Sequence, residues 1–391
     1  MGLRRELTTA GMHVLVAGGG IFGVTAALAL RARGLAVTLV DPGLPHPLAE
    51  STDISKVIRI DYGADEDYTA LGERALDGWR RWNAAGPAPL FHETGVTFLA
   101  CAPMQPGGFE HDSYALLTRR GHRLERLDAD AIARRFPAYR PGALVDGSFN
   151  PQGGWAEASA DVARLAAEAT ARGVTIRAAR VDRLDDRGAL VDGELVTADL
   201  VIVCAGSWVP LLLPELAPVL RAVGQPVFHL RPADPALFEA HHFPVFGADI
   251  SRTGYYGFPV HRDGVVKIAN HGTGTPLAPD AAVREVSTAQ EAALRAMLAD
   301  TFPALASAPI VHRRLCVYCD TADGHFWIAR HPSRENLAVA TGGSGHAFKF
   351  APVLGELIAA IALGEPHPLA SRFCWRPEQL PGGAEAARHH A

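Results

Sequence analysis

Hydrophobic positions near the start of the chain follow a strand–turn–helix–strand pattern. An apolar run of strand length precedes a glycine-rich turn, a stretch rich in Ala and Leu follows at helical spacing, and a second apolar strand closes the unit. In chain order, these segments are 13–17, 18–23, 24–33 and 36–40. The pattern predicts two parallel strands joined by a helix.

The turn in this unit has the spacing of a dinucleotide fingerprint. Gly18, Gly20 and Gly23 form G-x-G-x-x-G, and Asp41 lies 18 residues beyond Gly23. The glycines permit a tight turn, close approach of a pyrophosphate, and close packing of helix on strand, while a carboxylate at this distance binds a ribose hydroxyl. We therefore predict a dinucleotide site, the alternative being a glycine-rich turn without a ligand. The motif does not distinguish FAD from NAD.

Two kinds of hydrophobic pattern alternate along the rest of the chain. Helical patterns and buried strands resemble the first unit, whereas the region from Gly224 onward shows the alternation of antiparallel strands, with a hairpin turn at Asp263–Gly264. The predicted helices include 69–83, 159–172 with Ser159 as its cap, 281–300 and 352–363. The fold class is therefore α/β (α+β overall), a Rossmann-type domain with an interleaved, largely antiparallel β-sheet substrate domain.

The changes between these two hydrophobic patterns predict the domain boundaries. We assign 11–90, 145–223 and 320–375 to a discontinuous cofactor-binding domain, 91–144 and 224–319 to the substrate domain, and 376–391 to a polar tail. These ranges are used below as the sequence-based domains.

Composition narrows the functional classes. The 391 residues are 48% hydrophobic and 20% charged, with 37 Lys and Arg against 42 Asp and Glu. This balance favours a globular protein and argues against a nucleic-acid-binding surface. No apolar run reaches the length of a membrane span, and no apolar signal segment precedes the first strand. Five irregularly spaced cysteines indicate reduced thiols, and we expect a cytoplasmic protein.

Several reactive side chains lie in unusual sequence settings. Cys316 and Cys319 form a C-x-x-C, which is read as a redox pair, as half of a zinc site, or as two buried thiols. Lys267 lies in an apolar strand, where a lysine is costly unless its charge is used or faces solvent at a sheet edge. Taken alone, Arg59 and Lys349 are ordinary surface charges.

Several segments together resemble the FAD-dependent amine oxidases of the D-amino-acid oxidase superfamily. The nearest type is monomeric sarcosine oxidase, with its N-methyltryptophan, pipecolate and fructosyl-amino-acid oxidase relatives. Besides the fingerprint, the segments are YYGFP at 255–259, VKIANHG at 266–272, RRLCVYCDTADGHFWI at 313–328 and GGSGHAFKF at 342–350. The resemblance covers almost the whole chain, and it selects FAD rather than NAD as the cofactor.

The resemblance implies a role for each matched residue. It implies that Cys316 carries the flavin through a thioether, with Cys319 only packing, and that Lys267 activates oxygen. Arg59 and Lys349 would bind the substrate carboxylate. His271, Tyr256 and Tyr318 would line the substrate pocket, although His271 has a hydrogen-bonded structural role as its alternative. The residues expected to contact FAD are Gly18, Gly20, Ile21, Phe22, Gly23, Asp41, Lys56, Val181, Ala205, Gly206, Trp208, Cys316, Gly343, Gly345, His346 and Lys349. No metal site is predicted.

This chain departs from the family pattern at three places. Lys56 stands where an arginine is common, the segment 51–55 replaces a histidine-rich or glycine-containing loop, and Gly343 replaces a larger side chain. Fructosyl-amino-acid oxidases also use lysine in this loop. These departures are compatible with a bulky secondary amine.

The implied activity is oxidation of an amine to an imine, with oxygen reduced to hydrogen peroxide. The expected partners are a small-molecule amine and oxygen, without nucleic acid or membrane, and the expected state is a monomer. Three alternatives remain. They are a flavin dehydrogenase that passes electrons to another carrier, a flavin-binding protein without turnover, and an NAD-dependent dehydrogenase.

Overall fold

The computed structural model describes residues 11–281, 283–378 and 386–389. The chain divides into two compact units. Unit 1 comprises Met1–Ile54, Ala158–Ala222 and Tyr318–Gly382, and unit 2 comprises Ser55–Glu157, Val223–Val317 and Gly383–Ala391.

The helices differ widely in length. In chain order they are α1 (Ile21–Ala32), α2 (Glu66–Ala85), α3 (Phe109–Arg119), α4 (Ala129–Arg135), α5 (Ala158–Ala171), α6 (Val209–Leu212), α7 (Ile250–Thr253), α8 (Thr288–Thr301) and α9 (Ala351–Leu363).

The strands are mostly short. In chain order they are β1 (His13–Ala17), β2 (Ala36–Asp41), β3 (Lys56–Ile58), β4 (Phe91–His92), β5 (Val96–Ala100), β6 (Glu125–Asp128), β7 (Asp146–Asn150), β8 (Gly154–Ala156), β9 (Thr175–Ala178), β10 (Val181–Asp185), β11 (Gly188–Val191), β12 (Glu194–Thr197), β13 (Leu200–Val203), β14 (Leu220–Leu230), β15 (Val245–Ala248), β16 (Tyr255–Gly257), β17 (Val266–Asn270), β18 (Thr275–Pro276), β19 (Ile310–Thr321), β20 (Trp327–Arg330) and β21 (Leu337–Thr341).

A mainly parallel sheet forms the centre of unit 1. Its strand order is β20-β21-β13-β1-β2-β9, and only β20 runs antiparallel to its neighbour. The helices α1 and α9 pack against each other. A Cβ on Gly355 would overlap the carbonyl oxygen of Thr25, so this position in α9 admits only glycine without a shift of α1. Both helices also contact strands of this sheet, α1 through β1 and β2 and α9 through β20 and β21, so one of its faces is covered, as is typical of parallel sheets.

A largely antiparallel sheet forms the centre of unit 2. Its order is β18-β14-β17-β16-β15-β5-β7-β6, and β15 with β5 is its parallel pair among the described residues. One face covers an aromatic core in which Tyr139, Phe243, Phe246 and Phe302 pack ring against ring. This core fixes the strand register, because a slip of one residue would turn these rings away from it.

The predicted fold class is confirmed. Between β16 and β17, Gly264 has a φ of 77° and its N–H donates to the carbonyl oxygen of His261, so the predicted hairpin turn at Asp263–Gly264 is present. Among the described residues, none of the helices is long and apolar enough to cross a membrane.

Two predicted helix starts were wrong. The helix placed at 281–300 begins at Thr288, because Ser287 and Gln290 form a capping box that fixes the start there. Ser159 lies inside α5 rather than at its cap, and its hydroxyl donates to the carbonyl oxygen of Asp53 at 2.9 Å.

The two compact units do not share all boundaries with the sequence-based domains. Residues 55–90 lie in unit 2, whereas the sequence grouped 11–90 with the first domain. Residues 145–157, which the sequence also grouped with that domain, lie in unit 2 as well. The physical reason is long-range pairing, since β7 pairs with β5, and β3 and β4 pair with β8. Within the predicted polar tail, 386–389 belongs to unit 2 and Ala387 is fully buried, while 379–385 and 390–391 lie outside the described residues.

Candidate functional site

Glycines form the turn after β1 and leave no room for side chains. An ideal Cβ on Gly18 would lie 2.6 Å from the carbonyl oxygen of Cys204, and one on Gly23 would overlap the carbonyl oxygen of Gly18. Gly18 has a φ of 104°, and its N–H donates to the carbonyl oxygen of Val40 at 2.8 Å. Gly20 is the N-cap of α1 and makes no side-chain cap. Bare backbone and the start of a helix therefore meet here, which is the arrangement that binds a pyrophosphate.

Asp41 fastens the end of β2 to this turn. Its Oδ2 accepts the N–H of Gly19 at 2.7 Å, and its Oδ1 accepts the N–H of Gly43 at 2.9 Å. Burial raises the pKa of Asp41 above its ordinary value, and the two N–H donors oppose that rise. The carboxylate is therefore held in one orientation at the place where the fingerprint predicts a ribose ligand.

Further residues of unit 1 that the sequence predicts to contact FAD lie in three places: the first turn of α1, the start of β10, and the segment after β13. They are Ile21 and Phe22 in the first turn of α1, Val181 at the start of β10, and Ala205, Gly206 and Trp208 directly after β13. Gly206 has a φ of 52°, and the Trp208 ring meets the ring of His46 edge-on at 5.6 Å. Their contacts with FAD remain predictions.

The glycine-rich segment after β21 positions a buried lysine. Lys349 lies in a short 3₁₀ helix and its Nζ donates to the carbonyl oxygen of His346 at 2.8 Å. The His346 ring stacks on Phe326 at 4.9 Å. Gly345 has a φ of 77°, and a Cβ there would overlap the ring of Tyr318. The backbone of this loop is thus packed directly on the Tyr318 ring, and Lys349 is not the surface charge that its isolated sequence suggests.

Lys267 is buried at the centre of unit 2. It lies in β17 between β14 and β16, and its side chain is only 1% exposed. Its Nζ donates to the carbonyl oxygen of Ser55 at 2.5 Å and lies 4.7 Å from the centroid of the Phe258 ring. The alternative of a lysine that faces solvent from an edge strand is therefore wrong. A cation that is kept inside a protein needs such a carbonyl and ring to offset its lost hydration.

Lys56 lies beside Cys316 within unit 2. The Nζ of Lys56, on β3, is 3.5 Å from the Sγ of Cys316, which is buried on β19. The departure from the family pattern at Lys56 therefore brings an ammonium group to the predicted point of flavin attachment.

Cys319 is a second, separate buried thiol on β19. Burial raises the pKa of the Cys319 thiol to about 12, and its Sγ accepts a hydrogen bond from Oγ1 of Thr341 at 3.3 Å. All five cysteines are free thiols. The described ranges contain no group of three or more His, Cys, Asp or Glu side chains arranged for a metal. Cys316 and Cys319 thus contact different partners, Lys56 and Thr341.

Aromatic rings surround Arg59. Its guanidinium carbon lies 4.7 Å from the ring centroid of Tyr62, 5.6 Å from that of Phe98 and 5.5 Å from that of Phe109. Asp61 is buried nearby; burial raises its pKa, and the charge of Arg59 opposes this rise. Because Arg59 is buried, the surface-charge alternative is wrong for this residue also. The rings hold the planar guanidinium in a defined plane, which suits a bidentate carboxylate.

Tyr256 lies on β16, next to the strand of Lys267, and His271 directly follows that strand. The backbone N–H of His271 donates to the carbonyl oxygen of Gly254 at 2.7 Å, and its own carbonyl accepts from His389 at 3.0 Å. The half-buried ring of Tyr256 lies 5.9 Å from that of Phe258. The structure thus brings four of the predicted site residues, Arg59, Lys267, His271 and Tyr256, together in unit 2.

The residues of unit 1 fit a dinucleotide cofactor. The turn at Gly18, Gly20 and Gly23 is a cradle in which a Cβ on Gly18 or Gly23 would overlap backbone, and Asp41 is oriented beside it. The profile of the DAO family, described as FAD dependent oxidoreductase, matches residues 13–361. The chain belongs to this family of FAD-dependent oxidoreductases. This membership confirms the predicted family and cofactor class. It rejects one of the three alternatives, the NAD-dependent dehydrogenase.

Curated relatives and solved structures agree with the family assignment. Monomeric sarcosine oxidase from Bacillus sp. (strain B-0618) is 29% identical over 90% of this chain and 92% of its own length. N-methyl-L-tryptophan oxidase from Salmonella dublin is 30% identical over 90% of this chain and 95% of its own. Fructosamine oxidase (Amadoriase II) from Aspergillus fumigatus superimposes with a TM-score of 0.83 at 26% identity, covering 98% of this chain and 94% of the other. This oxidoreductase is thus similar to amine oxidases along nearly its whole length.

The sequence did not reveal some neighbours of the site. Ser51, whose Oγ accepts the N–H of Ile21 at 3.0 Å, supports the first turn of α1. The rings of Phe98 and Phe109 beside Arg59 come from elements far along the chain. Glu110 is buried, and burial raises the pKa of Glu110 to about 7. The sequence shows these residues only as ordinary aromatic, acidic or polar positions within its hydrophobic pattern, and nothing there indicates a role at the site.

Proposed function

We propose that this flavoprotein oxidises a secondary amine that carries a carboxylate, with oxygen as the acceptor and hydrogen peroxide as a product. The observation that carries the proposal is the buried Lys267, which is fixed between the Ser55 carbonyl and the Phe258 ring. The names of the similar proteins, which are oxidases of sarcosine, N-methyltryptophan and fructosamine, support the substrate class.

The residues of unit 2 supply two separate electrostatic functions. Arg59 binds the substrate carboxylate through its guanidinium fork and so orients the amine. Lys267 places a fixed positive charge where negative charge develops on oxygen, and a preorganised charge in a water-poor site costs no rearrangement during the reaction. FAD held at the turn of Gly18, Gly20 and Gly23 beside Asp41 would supply the two-electron redox chemistry that links oxidation of the amine to reduction of oxygen. The imine leaves the site and hydrolyses in water.

The remaining site residues have supporting roles in this proposal. By the resemblance, Lys349 is a carboxylate ligand, and His271 accepts a hydrogen bond from the substrate amine or tunes the amine's protonation. Tyr256 and Tyr318 line the substrate pocket. These roles rest on the resemblance of their sequence segments to the amine oxidases, together with the burial or half-burial of each side chain.

Flavin reduction in the absence of oxygen tests the activity. A set of amines with and without a carboxylate, such as sarcosine, N-methyltryptophan and their decarboxylated counterparts, is mixed with the yellow protein. We expect bleaching by the carboxylated secondary amines only. A flavin that stays oxidised with every amine would identify a binding protein, and bleaching that oxygen does not reverse would identify a dehydrogenase.

We further propose that Cys316 carries the FAD covalently through a thioether. The resemblance of segment 313–328 to the amine oxidases supports this proposal, and the buried Cys316 sulfur lies 3.5 Å from Nζ of Lys56. Acid precipitation separates the two outcomes: yellow colour in the pellet means a covalent flavin, and yellow colour in the supernatant means a dissociable one. Cys316→Ala should move the colour to the supernatant, whereas the matched control Cys319→Ala should leave it in the pellet.

The oligomeric state and the cellular location are the last part of the proposal. We propose a monomer, as the name of the similar monomeric sarcosine oxidase suggests, and a cytoplasmic location, because no disulfide joins any of the five cysteines, as is typical of a reducing compartment. Light scattering of the purified protein tests the monomer, since a dimer would double the mass of 41.6 kDa.

A further inference from the structure

A short segment late in the chain is packed inside unit 2. In the segment Ala386–His389, Ala387 is 0% exposed and Arg388 is 8% exposed. This burial is unexpected, because the surrounding sequence, GGAEAARHHA, is polar and rich in small residues. Burial of such a segment requires that its backbone polar groups find partners.

Three hydrogen bonds attach the segment to two elements of unit 2. The N–H of His389 donates to the carbonyl oxygen of His271 at 3.0 Å, and the Nε of Arg388 donates to the carbonyl oxygen of Gly272 at 3.0 Å. The Nδ1 of His389 lies 3.1 Å from the carbonyl oxygen of Ser251 in α7. The segment is therefore bonded to the backbone at His271, a predicted substrate-pocket residue.

Ala387 lies in the apolar cluster that contains rings beside the buried cations. It belongs to one apolar cluster with Phe98, Phe109 and Phe258. Phe98 and Phe109 flank the guanidinium of Arg59, and Phe258 flanks the ammonium of Lys267. The Cβ of Ala386 also lies within 3.3 Å of the position of a Cβ on Gly63, so the segment fits closely against the turn that follows Arg59.

We propose that the segment Ala386–His389 forms a wall of the substrate pocket and limits the size of the group attached to the carboxylate that Arg59 binds. The inference rests on the proposed role of Arg59. Because the side chain of Ala387 is small, it fits into the aromatic cluster without displacing the rings. The hydrogen bonds of Arg388 and His389 hold the segment in place. The segment thereby acts on specificity without taking part in the chemical step.

Binding of carboxylates of two sizes to the holoenzyme tests the wall without turnover. Acetate and 2-naphthoate are titrated against the intact chain and against a chain that ends at residue 385, with the flavin absorbance as the readout. We expect the truncation to raise the affinity for naphthoate relative to acetate about tenfold, since a few carbon atoms in a pocket discriminate by this much. The same ratio should change in kcat/KM for N-methyltryptophan relative to sarcosine.

Arg388→Ala is a second variant that keeps the chain length. It removes the bond to Gly272 and should shift the size ratio in the same direction, whereas Arg388→Lys should restore part of it. Arg119→Ala is the matched control, because Arg119 is a largely exposed arginine on α3. Hydrogen exchange should show slow exchange at the His389 amide in the intact chain and faster exchange in Arg388→Ala.

The outcomes separate this inference from the proposed function. An unchanged size ratio in both variants, with carboxylate binding intact, overturns the wall and leaves the role of Arg59 standing. If the intact holoenzyme binds neither carboxylate, the role of Arg59 fails and this inference fails with it. An equal gain of affinity for acetate and 2-naphthoate also overturns the inference, because it would mean that the segment blocks access to the site whatever the size of the ligand.

Discussion

The two units use opposite means to prepare a site. In unit 1 the glycine turn removes side chains, so that backbone N–H groups and the start of α1 are presented with Asp41 beside them. In unit 2 long side chains are enclosed, and the cations of Arg59 and Lys267 are held against aromatic rings. A cofactor pyrophosphate needs close approach to backbone, whereas a small anion and reduced oxygen need a fixed charge in a water-poor place.

This difference explains what the sequence reveals. The turn of unit 1 is local: Gly18 to Asp41 is continuous in sequence, and the spacing alone predicts the glycines, of which Gly18 and Gly23 have a steric reason. Lys267 is placed by its pairing with His229 and by the Ser55 carbonyl, 212 residues away. Spacing therefore favoured an edge-strand lysine, and only the resemblance to a family indicated a buried one.

The domain boundaries show the same limit. The pattern of 55–90 resembles the helical parts of unit 1, but β3 and β4 pair with β8 in unit 2. A three-residue strand has no periodicity of its own, so its partner decides its place. The segment Ala386–His389 is an extreme example, because its polar sequence gave no indication of its burial.

Removal of the buried charge in unit 2 should have the largest effect. For Lys267→Met, we expect reoxidation of the reduced flavin by oxygen to slow by about a hundredfold to a thousandfold, the usual effect of losing one preorganised electrostatic group. Stopped-flow mixing of prereduced protein with oxygen measures this rate. Anaerobic reduction by amine should change much less, and equal losses in both half-reactions would contradict the separate role of Lys267.

Arg59 should act on substrate binding. Arg59→Lys keeps the charge but loses the planar fork that the rings of Tyr62, Phe98 and Phe109 hold. We expect KM for a carboxylated amine to rise by about a hundredfold, because loss of a charge-assisted bidentate pair costs a few kcal/mol. An amine without a carboxylate serves as the comparison substrate; if its KM rises equally, Arg59 does not bind the carboxylate.

Gly23→Ala should break the cradle of unit 1. The added Cβ would overlap the carbonyl oxygen of Gly18, so α1 must move, at a cost of about 2 kcal/mol in the free energy of unfolding. Gly43→Ala is the matched control, since its Cβ would meet only His46 at 3.8 Å. Urea unfolding and the FAD content of the purified proteins measure the effect. A fully loaded, equally stable Gly23→Ala protein would show that the turn does not need glycine here.

Glu110 should give unit 2 a pH dependence of stability. Burial raises the pKa of Glu110 from 4.5 to about 7, and its Oε1 has no hydrogen-bond partner. Its stabilising effect is complete below the ordinary pKa and is lost as pH rises through about 7, because the unfolded state ionises first. Relative to Glu110→Gln, the native protein should lose about 1 kcal/mol between about pH 5 and pH 6. Parallel stability curves for the two proteins would refute the raised pKa.

The stoichiometry of oxygen use tests the central claim most directly. A carboxylated secondary amine is supplied in limiting amount to the holoenzyme in air, and hydrogen peroxide and the carbonyl product of imine hydrolysis are both quantified. The account predicts one peroxide for each amine oxidised, at a rate that depends on Lys267. Amine oxidation without peroxide, proceeding only with an added electron carrier, would contradict it.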